Sequence, residues 1–140
     1  PNRKALDVVE YTFDFRKHPW SGYHADHPQL KLAGGYDHNF CIDGDGMRHA
    51  AHSVPKGTLK MYVSTDMPGV QIYTGNFISE SEGKGTDYHH HDGIAIETQF
   101  YPDALNHPEF PSPVLKPRKE YRYTTVYQSL PTNKTLRTAE

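Results

Sequence analysis

No stretch of this sequence keeps a helical period for more than about three turns, because proline or glycine keeps interrupting it. The chain carries eleven of each among 140 residues, and both penalise helix interiors. Between the interruptions run short segments in which apolar and polar residues alternate with period 2, the pattern of half-buried strands. Ten tyrosines push the same way, since Tyr fits a pleated surface. The expected fold is therefore all-β, an antiparallel β-sandwich. The length suits one domain over residues 1–140, and no repeat, linker or low-complexity tract divides it.

The strand candidates are residues 8–15, 36–42, 57–65, 70–74, 93–101 and 120–128. The turn Asp66-Met67-Pro68-Gly69 joins the third to the fourth as an expected hairpin. Residues 16–32 read as a long loop with room for one helical turn, and 80–86 as a surface loop. Prolines 102, 108, 111, 113 and 117 allow no long helix. The stretch from Pro108 to Pro117 is either a rigid crossover or a recognition ligand. Residues beyond Ser129 read as a polar tail.

Several function classes are excluded at this level. A net charge of −2 leaves no basic stripe for phosphates, so no nucleic-acid partner is expected. No run approaches the roughly 20 apolar residues that cross a bilayer, so no membrane partner is expected. Cys41 is the only cysteine, which removes internal disulfides and Cys-based zinc sites and fits a cytoplasmic location. There is no nucleophile elbow, phosphate-binding loop or dinucleotide fingerprint.

Glu97 stands out because it sits inside a strand between Ile96 and Thr98. Either it lies on a solvated face, or it points into a polar cavity where desolvation would suit it to general-base work. Asp37 follows Gly34-Gly35-Tyr36. It is either a turn residue or a carboxylate that accepts hydrogen bonds from ligand hydroxyls, with the glycines permitting close approach. His89-His90-His91-Asp92 invites a metal reading, but neighbours on a strand point to opposite faces and would not converge on one ion. No metal is expected there. His18, His24, His27, His49 and His52 read as surface residues.

Set side by side, these segments resemble the C-terminal part of the aldose 1-epimerase (galactose mutarotase) family. The resemblance is carried by Thr12-Phe13-Asp14-Phe15-Arg16, by Gly34-Gly35-Tyr36-Asp37-His38-Asn39-Phe40, and by residues 68–77, PGVQIYTGNF. It continues through Gly93-Ile94-Ala95-Ile96-Glu97-Thr98-Gln99, then Pro102-Asp103-Ala104 and Asn106, to residues 121–127, YRYTTVY. It implies a sandwich of the mutarotase type and a reaction that interconverts the α and β anomers of free aldoses by opening and reclosing the ring. It further implies Glu97 as the general base, Asp37 as a sugar-hydroxyl acceptor and Gln71 as a further substrate contact. On this resemblance the cavity reading of Glu97 is preferred.

The family's general acid is a histidine upstream of the Phe-Asp-Phe segment, and no motif matching it occurs here. The chain thus resembles a C-terminal portion of a larger sandwich. It is expected to need either a missing N-terminal segment of the same fold or another chain to complete its sheets, and to be inactive alone. The implied partner is a monosaccharide substrate, and no cofactor is implied, because the reaction is proton transfer. A non-catalytic carbohydrate-binding module with the same sandwich is the alternative. An epimerase of phosphorylated sugars ranks lowest, since it would need a basic cluster beyond Arg118 and Lys119.

Overall fold

The structure, a computed structural model, describes residues 5–8, 12–16, 26–53, 59–79 and 81–131. In chain order its elements are helix α1 (Pro28–Ala33), β1 (Asp37–Cys41), β2 (Arg48–Ser53), β3 (Leu59–Thr65), β4 (Gly69–Tyr73), β5 (Ser81–Glu82), β6 (Asp87–Tyr88), β7 (Ala95–Gln99) and β8 (Thr125–Pro131). A single 3-10 turn at Ala104–Asn106 lies within the proline-rich stretch. The chain is all-β: one sheet has the order β1-β4-β7, a second the order β2-β3-β8, and β5-β6 form a two-stranded ladder. The pairs β2–β3, β3–β8 and β5–β6 are antiparallel. Among the described residues no helix is long and apolar enough to cross a membrane.

The chain divides into two compact units, residues 1–40 with 71–97 and residues 41–70 with 98–140. In the first, α1 starts at Pro28, where the missing N–H costs nothing, and His27 Nδ1 accepts from Gln29 N at 3.3 Å. It ends at Gly34, whose φ of 69° is the left-handed conformation that closes helices. Leu30 and Tyr36 are fully buried. Around Tyr36 the rings of Phe13, Phe15, His38 and Phe40 meet edge-on or tilted, with centroids 5.0 to 6.2 Å apart. In the second unit Val63 and Thr65 are fully buried and Met67, Val70 and Ala104 nearly so.

Five expectations change. Of the strand expected over 8–15, residues 9–11 lie outside the described residues and residues 12–15 lie in turns that end at Arg16, because Asp14 spends its buried carboxylate locally. It accepts from Arg16 N at 3.2 Å and Arg16 Nε at 2.9 Å, bonds that compete with a ladder. The hairpin of β3 with β4 does not exist, since the two strands lie in different sheets. Their connection is held instead by Thr124: Asp66 Oδ1 accepts from its N–H at 2.7 Å, and Thr65 Oγ1 donates to its carbonyl at 2.9 Å. The same bonds delay the last strand, which begins at Thr125 and runs to Pro131.

The fourth change is β2, which went unseen because Arg-His-Ala-Ala-His-Ser has little strand propensity and no clean alternation. Residues 80–86, expected as a plain loop, contain one side of the short β5–β6 ladder, Ser81 facing Tyr88 and Glu82 facing Asp87.

Candidate functional site

Asp37, Gln71 and Glu97 lie on the three strands of one sheet, β1, β4 and β7, with β4 in the centre. Two backbone bonds flank the β1–β4 pair: Thr74 N to Tyr36 O at 3.0 Å and Ile42 N to Pro68 O at 2.9 Å. They set Tyr36 against Thr74 and Ile42 against Pro68, so the two strands run in opposite directions. With period-2 alternation, Asp37 and Asn39 then share a face with Gln71 and Tyr73. The buried Val70 and Ile96 mark the other face as core, and Glu97, one step from Ile96, falls with Gln71.

The sheet brings two of the three residues into contact. Gln71 Nε2 donates to Asp37 Oδ1 at 2.7 Å, a short charge-assisted bond. That bond orients the amide, because only its NH2 end can donate to a carboxylate. Glu97 is exposed, and among the described residues no hydrogen bond joins it to either partner. Two further amide atoms, Asn39 Nδ2 and Gln71 Oε1, are buried without a hydrogen-bond partner among the described residues. Such atoms are uncommon enough in folded proteins to need a reason. A hollow of about 240 Å³ is lined by Tyr73, Ile78, Ile94 and Ala95 with Gly75 and Gly93. Tyr73 and Ala95 are each two positions from Gln71 and Glu97 and so share their face. The hollow is smaller than the roughly 300–1,000 Å³ of ordinary ligand clefts.

What fixes Asp37 is a buried polar clamp just behind it. Tyr36 N donates to Thr74 Oγ1 at 3.0 Å, and Asn76 Nδ2 donates to the carbonyls of Ala33 at 3.1 Å and Tyr36 at 3.0 Å. Thr74 Oγ1 donates to Asn76 Oδ1 at 2.7 Å. Thr74 is 3% exposed and Asn76 6%, so every bond but the part-buried one to Ala33 is made out of water's reach. The histidine run buttresses this segment, for residues 89–92 are a turn rather than a strand. His90 Nδ1 lies 2.8 Å from the carbonyl of Asn76 and His91 Nδ1 2.9 Å from that of Thr74. A carbonyl only accepts, so both rings carry their proton on Nδ1. Sequence reading placed Asn76 in a matched segment without a role, and the only available signal was a Thr-x-Asn flanking a glycine.

Asn76→Ala is expected to lower stability by about 2 kcal/mol, because the part-buried Ala33 carbonyl loses its side-chain donor, the Tyr36 carbonyl loses one of its donors and the buried Thr74 hydroxyl loses its Asn76 acceptor. Urea unfolding checks this against Phe77→Ala, whose side chain is 72% exposed and which should cost far less. His38, next to Asp37, projects to the aromatic side and not to the site face. Burial pushes its pKa below 6.5, with Asp37 pulling it up and His27 pushing it further down. Its ring C–H resonances are expected to titrate below pH 6.5. The burial therefore adds stability that is whole above that pH and fades as the medium acidifies past the folded pKa.

A second cleft, of about 250 Å³, lies in the other unit among Ile42, Arg48, Asp66, Phe100, Tyr101 and Tyr123. Its cation has nothing to offer an anionic ligand. Arg48 Nε donates to Asp43 O at 3.0 Å, Nη1 to Gly46 O at 2.8 Å and Thr65 O at 3.4 Å, and Nη2 to Ile42 O at 3.1 Å and Met67 O at 3.0 Å. All five N–H groups of the guanidinium are spent on backbone carbonyls. Nearby, burial and the Cys41 thiol push the Tyr101 hydroxyl up to about 12, which keeps it neutral.

The family model for aldose 1-epimerase matches residues 1–128. The human galactose mutarotase is 39% identical over 134 residues, an overlap that takes in 91% of this chain and 38% of the human protein. The aldose 1-epimerase of Escherichia coli K12 is 41% identical over 138 residues, covering 91% of this chain and 39% of that enzyme. Bovine galactose mutarotase is 39% identical over 133 residues, with the same 91% and 38% coverage. The chain thus spans well under half the length of the curated relatives it matches.

Proposed function

The chain belongs to the aldose 1-epimerase family, and on that premise we propose that it supplies the general base of a site that interconverts the α and β anomers of a free aldose such as galactose or glucose. Glu97 takes the proton of the anomeric hydroxyl while an acid protonates the ring oxygen; the ring opens, the aldehyde turns, and reclosure with the roles reversed gives the other anomer. Asp37 accepts hydrogen bonds from sugar hydroxyls through the oxygen that Gln71 leaves open, and Gln71 donates its second amide hydrogen. The observation that carries this reading is the 2.7 Å bond from Gln71 to Asp37 on the face to which Glu97 also falls.

The acid comes from outside these residues in this proposal, as do strands that complete one sandwich domain. That assignment rests on the small volume of the hollow and on large apolar side chains left open, with Leu32 91%, Phe77 72% and Leu105 72% exposed. Large apolar side chains left open in this way are what a covering segment would bury. No cofactor takes part, and the cytoplasm is the compartment proposed.

Polarimetry of α-D-galactose tests the reading. The 140 residues alone are expected to leave the spontaneous rate unchanged. Joined to the N-terminal segment of the Escherichia coli relative, they should accelerate it, and Glu97→Gln should slow that chimera about 100-fold. A Glu97→Gln chimera as fast as its parent would overturn the assignment of the base. A folded chimera that binds sugar without accelerating the reaction would favour the non-catalytic carbohydrate-binding module.

A further inference from the structure

The pairing of β2 with β3 is irregular at one point. His49 lies opposite Ser64, but Ala51 lies opposite Val63 and His52 opposite Tyr62. One residue more is spent on β2 than on β3, the count of a β-bulge. In a regular strand, residues three apart project to opposite faces. Here the extra residue returns His52 to the face of His49, because their partners Tyr62 and Ser64 share one face of β3. Both imidazoles are exposed on a strand at the edge of its sheet. His49 Nε2 and His52 Nδ1 stand 3.1 Å apart, and the His52 ring stacks on Tyr62 with centroids 5.7 Å apart and planes at 20°.

We propose that His49 and His52 form a binding site for a divalent transition-metal ion, Cu2+ in preference to Zn2+, on the bulged edge of β2. The spacing of the two nitrogens is that of two ligands on one ion. Metal–nitrogen bonds of about 2.0–2.1 Å separate the two donors by about 3.3 Å at a tetrahedral angle and about 2.9 Å at a right angle. The observed separation lies between the two, so either geometry needs only a small rotation of the rings. The metal takes the place of the single proton that the facing nitrogens now share, and stacking on Tyr62 holds one ring already oriented.

The protonation state also suits a ligand. An imidazole is mostly neutral above its ordinary pKa of about 6.5, and the neutral ring is the form metal binding requires. Among the described residues no group of three or more His, Cys, Asp or Glu is placed to hold an ion, so water fills the remaining positions and the affinity is moderate. Imidazole ligands of fixed geometry take Cu2+ ahead of Zn2+ by the usual stability order. The inference stands apart from the aldose reading, since it uses none of Asp37, Gln71 and Glu97.

Calorimetric titration of the chain with Cu2+ and with Zn2+, near pH 7.5 in a non-chelating buffer, tests it. The expected result is one site of micromolar affinity for Cu2+, weaker for Zn2+ and lost below about pH 5.5 as protons compete. His49→Gln and His52→Gln should each weaken it at least about tenfold. Substoichiometric Cu2+ should broaden the NMR signals of His49, His52 and Tyr62 before any others, a readout that needs no variant. No binding at millimolar ion, affinity that survives both substitutions, or broadening that begins at His89, His90 and His91 would each overturn the proposal.

Discussion

Gly35→Ala is expected to cost about 3–5 kcal/mol, a large share of a net stability on the order of 5–15 kcal/mol. Two independent causes add. The residue has a φ of 150°, a conformation that L side chains rarely adopt, with a strain of about 1–3 kcal/mol. A methyl group there would also lie 2.7 Å from Thr74 Oγ1 and collide with the Asn76 amide, and these two side chains are already locked to each other and to Tyr36. Overpacking of this kind costs about 1–3 kcal/mol more. Gly34→Ala is the control. Its φ of 69° is left-handed too, but the nearest atom to an added methyl is 3.8 Å away, so it should lose only about 1 kcal/mol. Urea midpoints for the two variants that agree within about 0.5 kcal/mol would remove the clamp from the account. The consequence reaches the site, because Asp37 begins one residue beyond the clamped Tyr36.

Arg48→Met is expected to cost about 3 kcal/mol, because five backbone carbonyls lose charge-assisted donors together and several are shielded from water. Arg48→Lys should recover little of this. An ammonium has three donors on a mobile stem and cannot replace a planar fork that reaches Asp43, Gly46, Thr65, Ile42 and Met67 at once. Thermal unfolding followed by circular dichroism reads the difference. An Arg48→Lys midpoint equal to that of the unchanged chain would mean that charge alone, and not the fork, holds the loop. Loss of the knot should loosen the connection between β3 and β4 first, since Thr65 and Met67 belong to it.

Period-2 alternation of residue types found β1, β3, β4 and β7, while burial itself alternates only toward the end of β3, where buried Val63 and Thr65 flank half-buried Ser64. It failed at β2, where the bulge breaks the alternation it relies on and histidine and alanine carry no strand signal. It failed at residues 12–16 for another reason. Thr12, Phe13 and Phe15 look like strand, but Asp14 closes on Arg16 and the rings of Phe13 and Phe15 pack around Tyr36 instead. Strand pairing was the least legible feature: β3 and β4 are neighbours in sequence, yet they lie in different sheets, β3 between β2 and β8 and β4 between β1 and β7.

The candidate site divides in the same way. Ordered motifs named Asp37, Gln71 and Glu97, because a carboxylate after two glycines or within a strand is visible in one dimension. That Gln71 turns its amide to Asp37, that Thr74 and Asn76 hold the strand behind it, and that a bulge sets His49 against His52 were not visible. The sequence by itself determined the all-β class, the family and the identity of the polar residues, since these depend on local propensity and on which side chains occur in which order. Tertiary structure alone decided which strands pair, which polar groups are buried and which rings face each other. Those outcomes depend on hydrogen bonds between residues tens of positions apart, and such bonds leave no periodic mark in the chain.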